Sequence, residues 1–93
     1  MMDDKRLVKI FKALGDETRL KIIETLYLQG ETTCAAFDEK FNLSKPALSH
    51  HYKVLLEADL IMARKEKQCF HLRLNEETFR SHLPGFLNKL EFI

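Results

Sequence analysis

The spacing of apolar residues changes along this chain, and that change limits the folds open to it. From Leu7 to about Asp59, apolar residues recur every three or four positions, as on one face of a helix. Over residues 60–74 they alternate, as in half-buried strands, and after Asn75 the helical spacing returns. The pattern predicts a mainly α domain with a small β-hairpin, in the order α-α-α-α-β-β-α.

Glycine and capping residues divide the first part of the chain into three helices. The first covers residues 5–15 and stops at Gly15. Asp16 can cap the second helix by accepting a hydrogen bond from a free backbone N–H, and Gly30 ends it. A short third helix is predicted over Thr33 to Phe41.

The fourth helix has the clearest start in the chain. Ser44 is a favoured N-cap, and the proline two positions later suits a first turn, where its missing N–H needs no partner. The helix is predicted to run to about Asp59. Its inward face carries Leu48, Tyr52 and Leu55. The outward face and its flanks carry mostly polar residues: Ser44, Lys45, Pro46, Ala47, Ser49, His50 and Lys53.

Two short strands and a last helix complete the pattern. The strands are predicted over residues 60–64 and 69–74, joined by the charged tip 65–68. That tip contains no Gly or Asn, so its turn type is not readable. Asn75 can cap the last helix, and Pro84-Gly85 predicts a kink or a division into two short helices.

Length and composition exclude several classes of protein. A chain of 93 residues forms one domain, here residues 1–93. No run approaches 18 apolar residues, and the first six residues lack the apolar core of a signal peptide, so a cytoplasmic protein with no membrane partner is expected. Two cysteines, Cys34 and Cys69, are too few for a disulfide framework and lack metal-site spacing. With no glycine-rich phosphate loop or catalytic constellation readable, neither an enzyme nor a cofactor is expected.

The net charge of +1 hides a basic block in the middle of the chain. Residues 44–73 carry six basic and three acidic side chains, and three of the four histidines lie there as well. Residues 31–43 carry one basic and three acidic side chains. Since local charge decides whether a polyanion is attracted, this block is a candidate nucleic-acid surface, although a merely solvated face fits the charge equally well.

Two consecutive short helices followed by a basic-tipped hairpin suggest a winged helix-turn-helix. The helix-turn-helix is predicted over residues 33–59 and the wing over residues 60–74. A helix in the major groove of DNA presents its N-terminal residues to base edges, and its positive dipole end favours phosphate. The hairpin would bring Arg64, Lys65 and Lys67 to the neighbouring backbone.

Two motifs resemble the ArsR-type (arsenic-repressor-like) transcriptional regulators. Residues 14–23, LGDETRLKII, look like the start of that family's second helix. Residues 43–55, LSKPALSHHYKVL, with EADLI at 57–61, look like its recognition helix and the entry to its wing. The resemblance covers about residues 5–75. It implies a homodimer, paired through its first and last helices (residues 5–15 and 75–93), that represses transcription and releases DNA when an effector binds.

The family's metal ligands are incomplete in this sequence, so no metal site is expected. Many members carry a Cys-x-Cys pair in the third helix, where this chain has Thr33 and Ala35 around Cys34. Other members use two histidines eleven residues apart. His71 and His82 have that spacing, but His71 falls in a wing strand, and the spacing is interpreted as coincidence. The effector is not identified by the sequence.

Side-chain roles follow from position on these elements. His50 points outward and is predicted to contact bases. His51 borders the apolar face and is predicted to be hydrogen-bonded within the domain. Arg19 is predicted to fix the packing of the helices. The two cysteines are expected to be inert. The apolar stripes of the first and last helices are predicted to form the dimer interface, with Phe92-Ile93 adding to it: Leu7, Ile10, Phe11, Phe79, Leu83, Phe86, Leu87 and Leu90.

The sequence leaves two alternatives to an inverted-repeat DNA repressor. A winged helix can serve as a protein-interaction module of a transcription complex, in which case its exposed helix face would carry a large apolar residue. The stretch from Ser44 to Lys53 exposes none in the predicted arrangement. A thiol-based redox-sensing repressor that uses Cys34 or Cys69 is the other alternative, and no further feature of the sequence supports it.

Overall fold

The computed structural model describes residues 4–90, and within that range it confirms the mainly α fold with a small antiparallel sheet. The elements, in chain order, are α1 (Asp4–Leu14), α2 (Glu17–Gln29), β1 (Thr32–Thr33), α3 (Cys34–Lys40), α4 (Lys45–Glu57), β2 (Ile61–Glu66), β3 (Cys69–Leu74), α5 (Glu76–His82) and α6 (Phe86–Lys89).

The observed order differs from the predicted one in two places. A two-residue strand, β1, precedes α3 and is too short to show an alternating pattern in the sequence. The last helix is divided into α5 and α6, as one of the two options for Pro84-Gly85 predicts. Gly85 adopts the left-handed conformation at the division, with φ of 83°, which costs glycine little because it has no Cβ. Residues 91–93 of the predicted last helix, including Phe92-Ile93, lie outside the described range.

The three strands form one sheet in the order β1-β3-β2. In the hairpin, Ile61 pairs with Leu74, Ala63 with Leu72 and Lys65 with Phe70, so these residues share one face. Lys67 occupies the turn with a φ of 58°. That left-handed conformation favours Gly or Asn, which explains why a turn containing Lys67 could not be classified from the sequence.

The core lies between the helices and the inner face of the sheet. It is built from the inward face that the periodicity predicts on α4, from buried side chains of α1, α2 and the hairpin, from one aromatic side chain each of α3 and α5, and from Leu90. Its fully buried members include Ile22, Ile23, Phe37, Leu48, Leu55, Leu60, Leu72 and Phe79.

Three predicted dimer-interface residues belong to this core instead. Ile10 is 0% exposed, and Phe79 and Leu90 are each 1% exposed, so they have no surface to offer a second chain. Each side chain is large and apolar, and burial within its own domain already removes it from water. Of the other predicted interface residues, Phe11 is 54% exposed, and four are half-buried: Leu7, Leu83, Phe86 and Leu87.

Side-chain caps begin three of the helices. Asp16 accepts from the backbone N–H of Arg19 at 3.0 Å, and Ser44 accepts from that of Ala47 at 3.2 Å. Thr33 caps α3 in the same way, accepting from Ala36 at 3.1 Å. The prediction that Asn75 caps the last helix is wrong, because the Asn75 side chain makes no capping hydrogen bond to the backbone of α5.

Arg19 joins α2 to two other helices. Its guanidinium donates to the carbonyl oxygens of Ala13 at 2.6 Å and Lys12 at 3.3 Å, both in the last turn of α1. It also lies 3.1 Å from Nδ1 of His51 on α4, and the Asp16 carboxylate is 3.7 Å from the same nitrogen. The packing role predicted for Arg19 and the internal hydrogen bonding predicted for His51 are confirmed.

None of the helices within residues 4–90 is long and apolar enough to span a membrane.

We expect the Asp16 cap to make stability depend on pH. The hydrogen bond from the Arg19 backbone, followed by the positive charge of Arg19, lowers the pKa of the Asp16 carboxyl in the folded protein. Its stabilisation is therefore complete above about pH 4 and is lost as the pH falls through the lowered pKa. At pH 7, Asp16→Ala should reduce the free energy of unfolding by about 1 kcal/mol.

Urea denaturation between pH 7 and pH 3 measures this effect. The difference between the wild type and Asp16→Ala should narrow as the pH falls. Glu39→Ala, which removes an exposed carboxylate from α3, provides the control and should show no comparable difference at pH 7. A difference of equal size at both pH values would contradict the role given to the ionised cap.

Candidate nucleic-acid interface

Helix α4 has one face fixed in the core and the other open to solvent. Leu48 and Leu55 are fully buried, and Tyr52 is 8% exposed. On the other side the structure exposes six of the residues predicted to bind DNA and leaves Ala47 half-buried: Ser44, Lys45, Pro46, Ser49, His50 and Lys53. The exposed face of α4 could be predicted from the sequence, because buried residues spaced three or four positions apart occupy one side of a helix and leave the opposite side to solvent.

The N-terminus of α4 is an electropositive end of the exposed face. Lys45 lies in the first turn, next to the Ser44 cap, where the helix dipole adds partial positive charge. Lys53 lies two turns further along, 4.0 Å from Glu57 across an exposed i,i+4 pair. Such pairs contribute little in water, so the Lys53 ammonium remains available to an anion.

Neighbouring histidines on α4 have different environments. The His50 ring is exposed on the outer face, with its centroid 6.1 Å from that of His51. His51 is turned towards α2 and is held there by Arg19. Only His50 is therefore free to approach a base edge.

The hairpin presents two of its three predicted basic residues without a carboxylate partner among residues 4–90. Lys65 lies on the same face of the sheet as α4, with its ammonium 5.7 Å from the centre of the Phe70 ring. Lys67 occupies the turn itself and is exposed. Both are thus exposed cations on the hairpin, one on β2 and one in the turn.

Arg64 is placed differently from the phosphate contact predicted for it. Its guanidinium donates to both oxygens of Glu31 at 3.0 Å and to Glu66 at 2.8 Å, which lowers the pKa of both carboxyls below their usual values. It also points to the sheet face opposite Lys65, because successive strand residues alternate. Arg64 therefore joins the wing to the segment before β1, and its charge is already compensated.

The role of Glu31 was missed by the sequence reasoning. It is 33 residues away from Arg64, and the contact exists only because β1 pairs with β3. A two-residue strand leaves no pattern that could have signalled this pairing.

Large apolar side chains are exposed beside the polar face. Phe70 in the wing is 49% exposed and Leu56 near the end of α4 is 36% exposed. The polar character predicted for the face holds from Ser44 to Lys53 but ends at Leu56. The surface therefore has a polar part near the N-terminus of α4 and an apolar part between α4 and the wing.

The residues at the family's metal positions have other partners. Thr33 caps α3, and His82 lies on α5 with Nδ1 3.1 Å from the carbonyl of Thr78. His71 lies in β3, as predicted, with Nε2 3.7 Å from Glu66. Within residues 4–90, three or more His, Cys, Asp or Glu side chains do not come together in a metal-binding group.

The two cysteines differ in exposure. Cys34 is partly buried, and burial, with the nearby charge of Asp38, raises the pKa of its thiol. A raised pKa reduces the thiolate fraction, which is the reactive form. Cys69 is exposed on β3.

Comparison with known proteins identifies the class of protein to which this chain belongs. Residues 14–64 match a family model described as a helix-turn-helix domain. The chain is 47% identical over 89 residues to the uncharacterised helix-turn-helix transcriptional regulator YceK of Bacillus subtilis, covering 95% of this chain and 89% of YceK. It is 38% identical over 76 residues to the arsenical resistance operon repressor of Staphylococcus xylosus, covering 82% of this chain and 72% of that repressor.

Solved structures agree with this relationship. HlyU from Vibrio cholerae superimposes with a TM-score of 0.75 at 28% identity, covering 99% of this chain and 92% of HlyU. An ArsR family transcriptional regulator with 21% identity has the same fold, with a TM-score of 0.78, covering 98% of this chain and 92% of that one. The chain is a helix-turn-helix transcriptional regulator, not an enzyme. More specifically, it belongs to the ArsR-type family.

The ion pairs predict that Arg64 and Lys65 contribute differently to DNA binding. Lys65→Ala should weaken binding to a random-sequence duplex and reduce the slope of log affinity against log salt by about one. Arg64→Ala should leave that slope nearly unchanged, because Glu31 and Glu66 already neutralise the guanidinium.

Fluorescence anisotropy of a labelled duplex at several salt concentrations measures both slopes. Arg80→Ala, at an exposed position on α5, provides the control for loss of a positive charge elsewhere. Equal reductions for Arg64→Ala and Lys65→Ala would show that the Arg64 ion pairs open when DNA binds.

Proposed function

We propose that this protein is a dimeric repressor that binds an inverted-repeat DNA operator, with α4 in the major groove and the wing on the adjacent backbone. The observation that carries the proposal is the exposed polar face of α4, which begins at a capped, electropositive helix end. A helix in the major groove reads bases with side chains from its N-terminal half.

Two sets of residues on this surface would have separate roles. Ser49 and His50 lie on the outer face of α4, where hydrogen-bonding side chains distinguish base pairs. Lys45 in the first turn of α4, Lys65 on β2 and Lys67 in the hairpin turn are exposed and would contact phosphate, which fixes register without reading sequence. Arg64 has no part in this proposal because it is occupied by Glu31 and Glu66.

The assembly is supported by apolar surface on the first and last helices. Phe11 is 54% exposed and Val8, one turn away on α1, is 50% exposed. Phe86 and Leu87 on α6 are half-buried, so part of each side chain remains for a second copy. A twofold dimer would then place two α4 helices about one DNA turn apart, which accounts for an inverted repeat.

Repression is inferred from the relatives, and release by an effector remains part of the proposal. SdpR of Bacillus subtilis, 35% identical over 79 residues covering 85% of this chain and 87% of SdpR, is a transcriptional repressor. The arsenical resistance operon repressor of Staphylococcus xylosus is a further example. In this chain Thr33 caps α3 and Ala35 follows Cys34, so we infer that release does not depend on a pair of thiolates in α3.

We expect His50 to be a reading residue. His50→Ala should weaken binding to the operator by about 1–3 kcal/mol and weaken binding to a scrambled duplex much less, because only a base contact discriminates sequences. Lys65→Ala should weaken both almost equally and leave their ratio nearly unchanged.

Anisotropy titrations of both variants on an operator duplex and a scrambled duplex decide between these roles. The wild type fixes the starting ratio, and a thermal melt of each variant shows whether it is folded. If His50→Ala lowered both affinities by the same factor, His50 would be a phosphate contact or a packing residue, and the assigned reading face would be wrong.

A further inference from the structure

An open groove lies between α4 and the wing. It has a volume of about 370 Å³, within the range of small-molecule sites. Leu56 of α4 and Ala63, Phe70 and Leu72 of the hairpin form an apolar part of its lining. The groove is thus formed where α4 packs against the sheet.

One lining residue of this groove has a buried hydroxyl that lacks a hydrogen-bond partner among residues 4–90. Tyr52 lines the groove, and its hydroxyl is buried and makes no hydrogen bond with any residue in that range. Buried hydroxyls are nearly always hydrogen-bonded, because leaving one unpaired costs the solvation it had in water. Burial, together with nearby Cys34 and Asp38, raises the pKa of Tyr52, so the group remains a neutral phenol that can donate a hydrogen bond.

Part of the apolar lining is exposed to solvent. Phe70 and Leu56 are among the exposed large apolar residues of the described chain, and both face this groove. Aromatic and aliphatic side chains that line a concave surface favour an apolar molecule, since burying them removes apolar area from water.

The charges at the groove indicate which polar group the molecule would carry. Lys45 and Lys53 line it together with a single carboxylate, Asp38. Lys45 also lies at the positive end of the α4 dipole. The Lys53–Glu57 pair is long and exposed and so contributes little. Two lining ammonium groups against one lining carboxylate therefore favour a ligand with one negative charge.

We propose that this groove binds a small apolar molecule with a single acidic group, and that binding excludes DNA. The exclusion of DNA rests on the proposed function, because the groove shares lining residues with the surface assigned to DNA. These residues are Lys45, Ser49 and Lys53. An acid held there would meet the same ammonium groups as a phosphate. The groove would thereby be the site at which an effector releases the operator.

The first experiment measures binding without DNA. The probe is 1-anilinonaphthalene-8-sulfonate, an aromatic monoanion whose fluorescence rises in apolar sites, titrated into the full chain. Ala63→Phe fills the groove from the sheet side, and Met62→Phe adds the same ring on the opposite face of β2. We expect a tenfold or greater rise in the dissociation constant for Ala63→Phe and less than a twofold change for Met62→Phe.

A neutral probe tests the charge requirement. N-Phenyl-1-naphthylamine has the same rings without the sulfonate. The proposal predicts that Lys45→Gln weakens binding of the sulfonate at least threefold and leaves binding of the neutral probe unchanged. Equal changes for both probes would overturn the assignment of an acidic ligand, and the absence of saturable sulfonate binding would overturn the site.

Amide chemical shifts keep the site testable if Ala63→Phe does not fold. In the wild type, the sulfonate probe should shift the resonances of Tyr52, Leu56, Ala63 and Leu72 more than those of α1 and α6. The largest shifts on α1 or α6 would show that the probe binds the apolar surface of the end helices instead, which would overturn the proposal.

The second experiment adds a random-sequence duplex, so that no operator needs to be known. The sulfonate probe should raise the dissociation constant of the duplex at least fivefold for the wild type and for Met62→Phe, but not for Ala63→Phe. Groove binding with no effect on DNA would overturn the regulatory half of the proposal. A wild type that binds the probe but no duplex would contradict the proposed function and leave the ligand site standing.

Discussion

The contacts that Arg19 of α2 makes with α1 and α4 determine where the outer face of α4 can point. The Arg19 guanidinium donates to two carbonyl oxygens at the end of α1 and meets His51 on α4, while the Arg19 backbone is held by the Asp16 cap. A helix of 13 residues would be marginal alone in water, so its orientation is set by what it packs against. With His51 and the buried Tyr52 fixed inward, His50 is left on the exposed side.

The electrostatics of the surface depend on which charges are already paired. The basic block at residues 44–73 contains six cations. Arg64 is paired with Glu31 and Glu66 and joins the wing to the segment before β1. Lys45 lies in the first turn of α4, Lys65 on β2 and Lys67 in the hairpin turn. The positive charge available to a polyanion is therefore smaller than the count suggests.

Much of the fold could be predicted because local signals and burial agree along the chain. Ser44 and Asp16 are caps in the sequence and in the structure, and the inward positions of α4 are buried as its periodicity predicts. Apart from the Asn75 cap, the failures come from contacts between distant residues. Neither the pairing of β1 with β3 nor the Glu31–Arg64 ion pair has a local signature. The burial of Ile10 also could not be separated from an interface role, since both require an apolar side chain.

Selection of bound sequences from a pool of random duplex DNA tests the central claim most directly. It asks whether the exposed face of α4 reads bases and whether two copies do so together. The account predicts enrichment of an inverted repeat with half-sites about 10 base pairs apart, centre to centre. Recovery of a single unpaired half-site would contradict the twofold dimer. Recovery of no shared sequence would contradict the assignment of α4 as a reading helix.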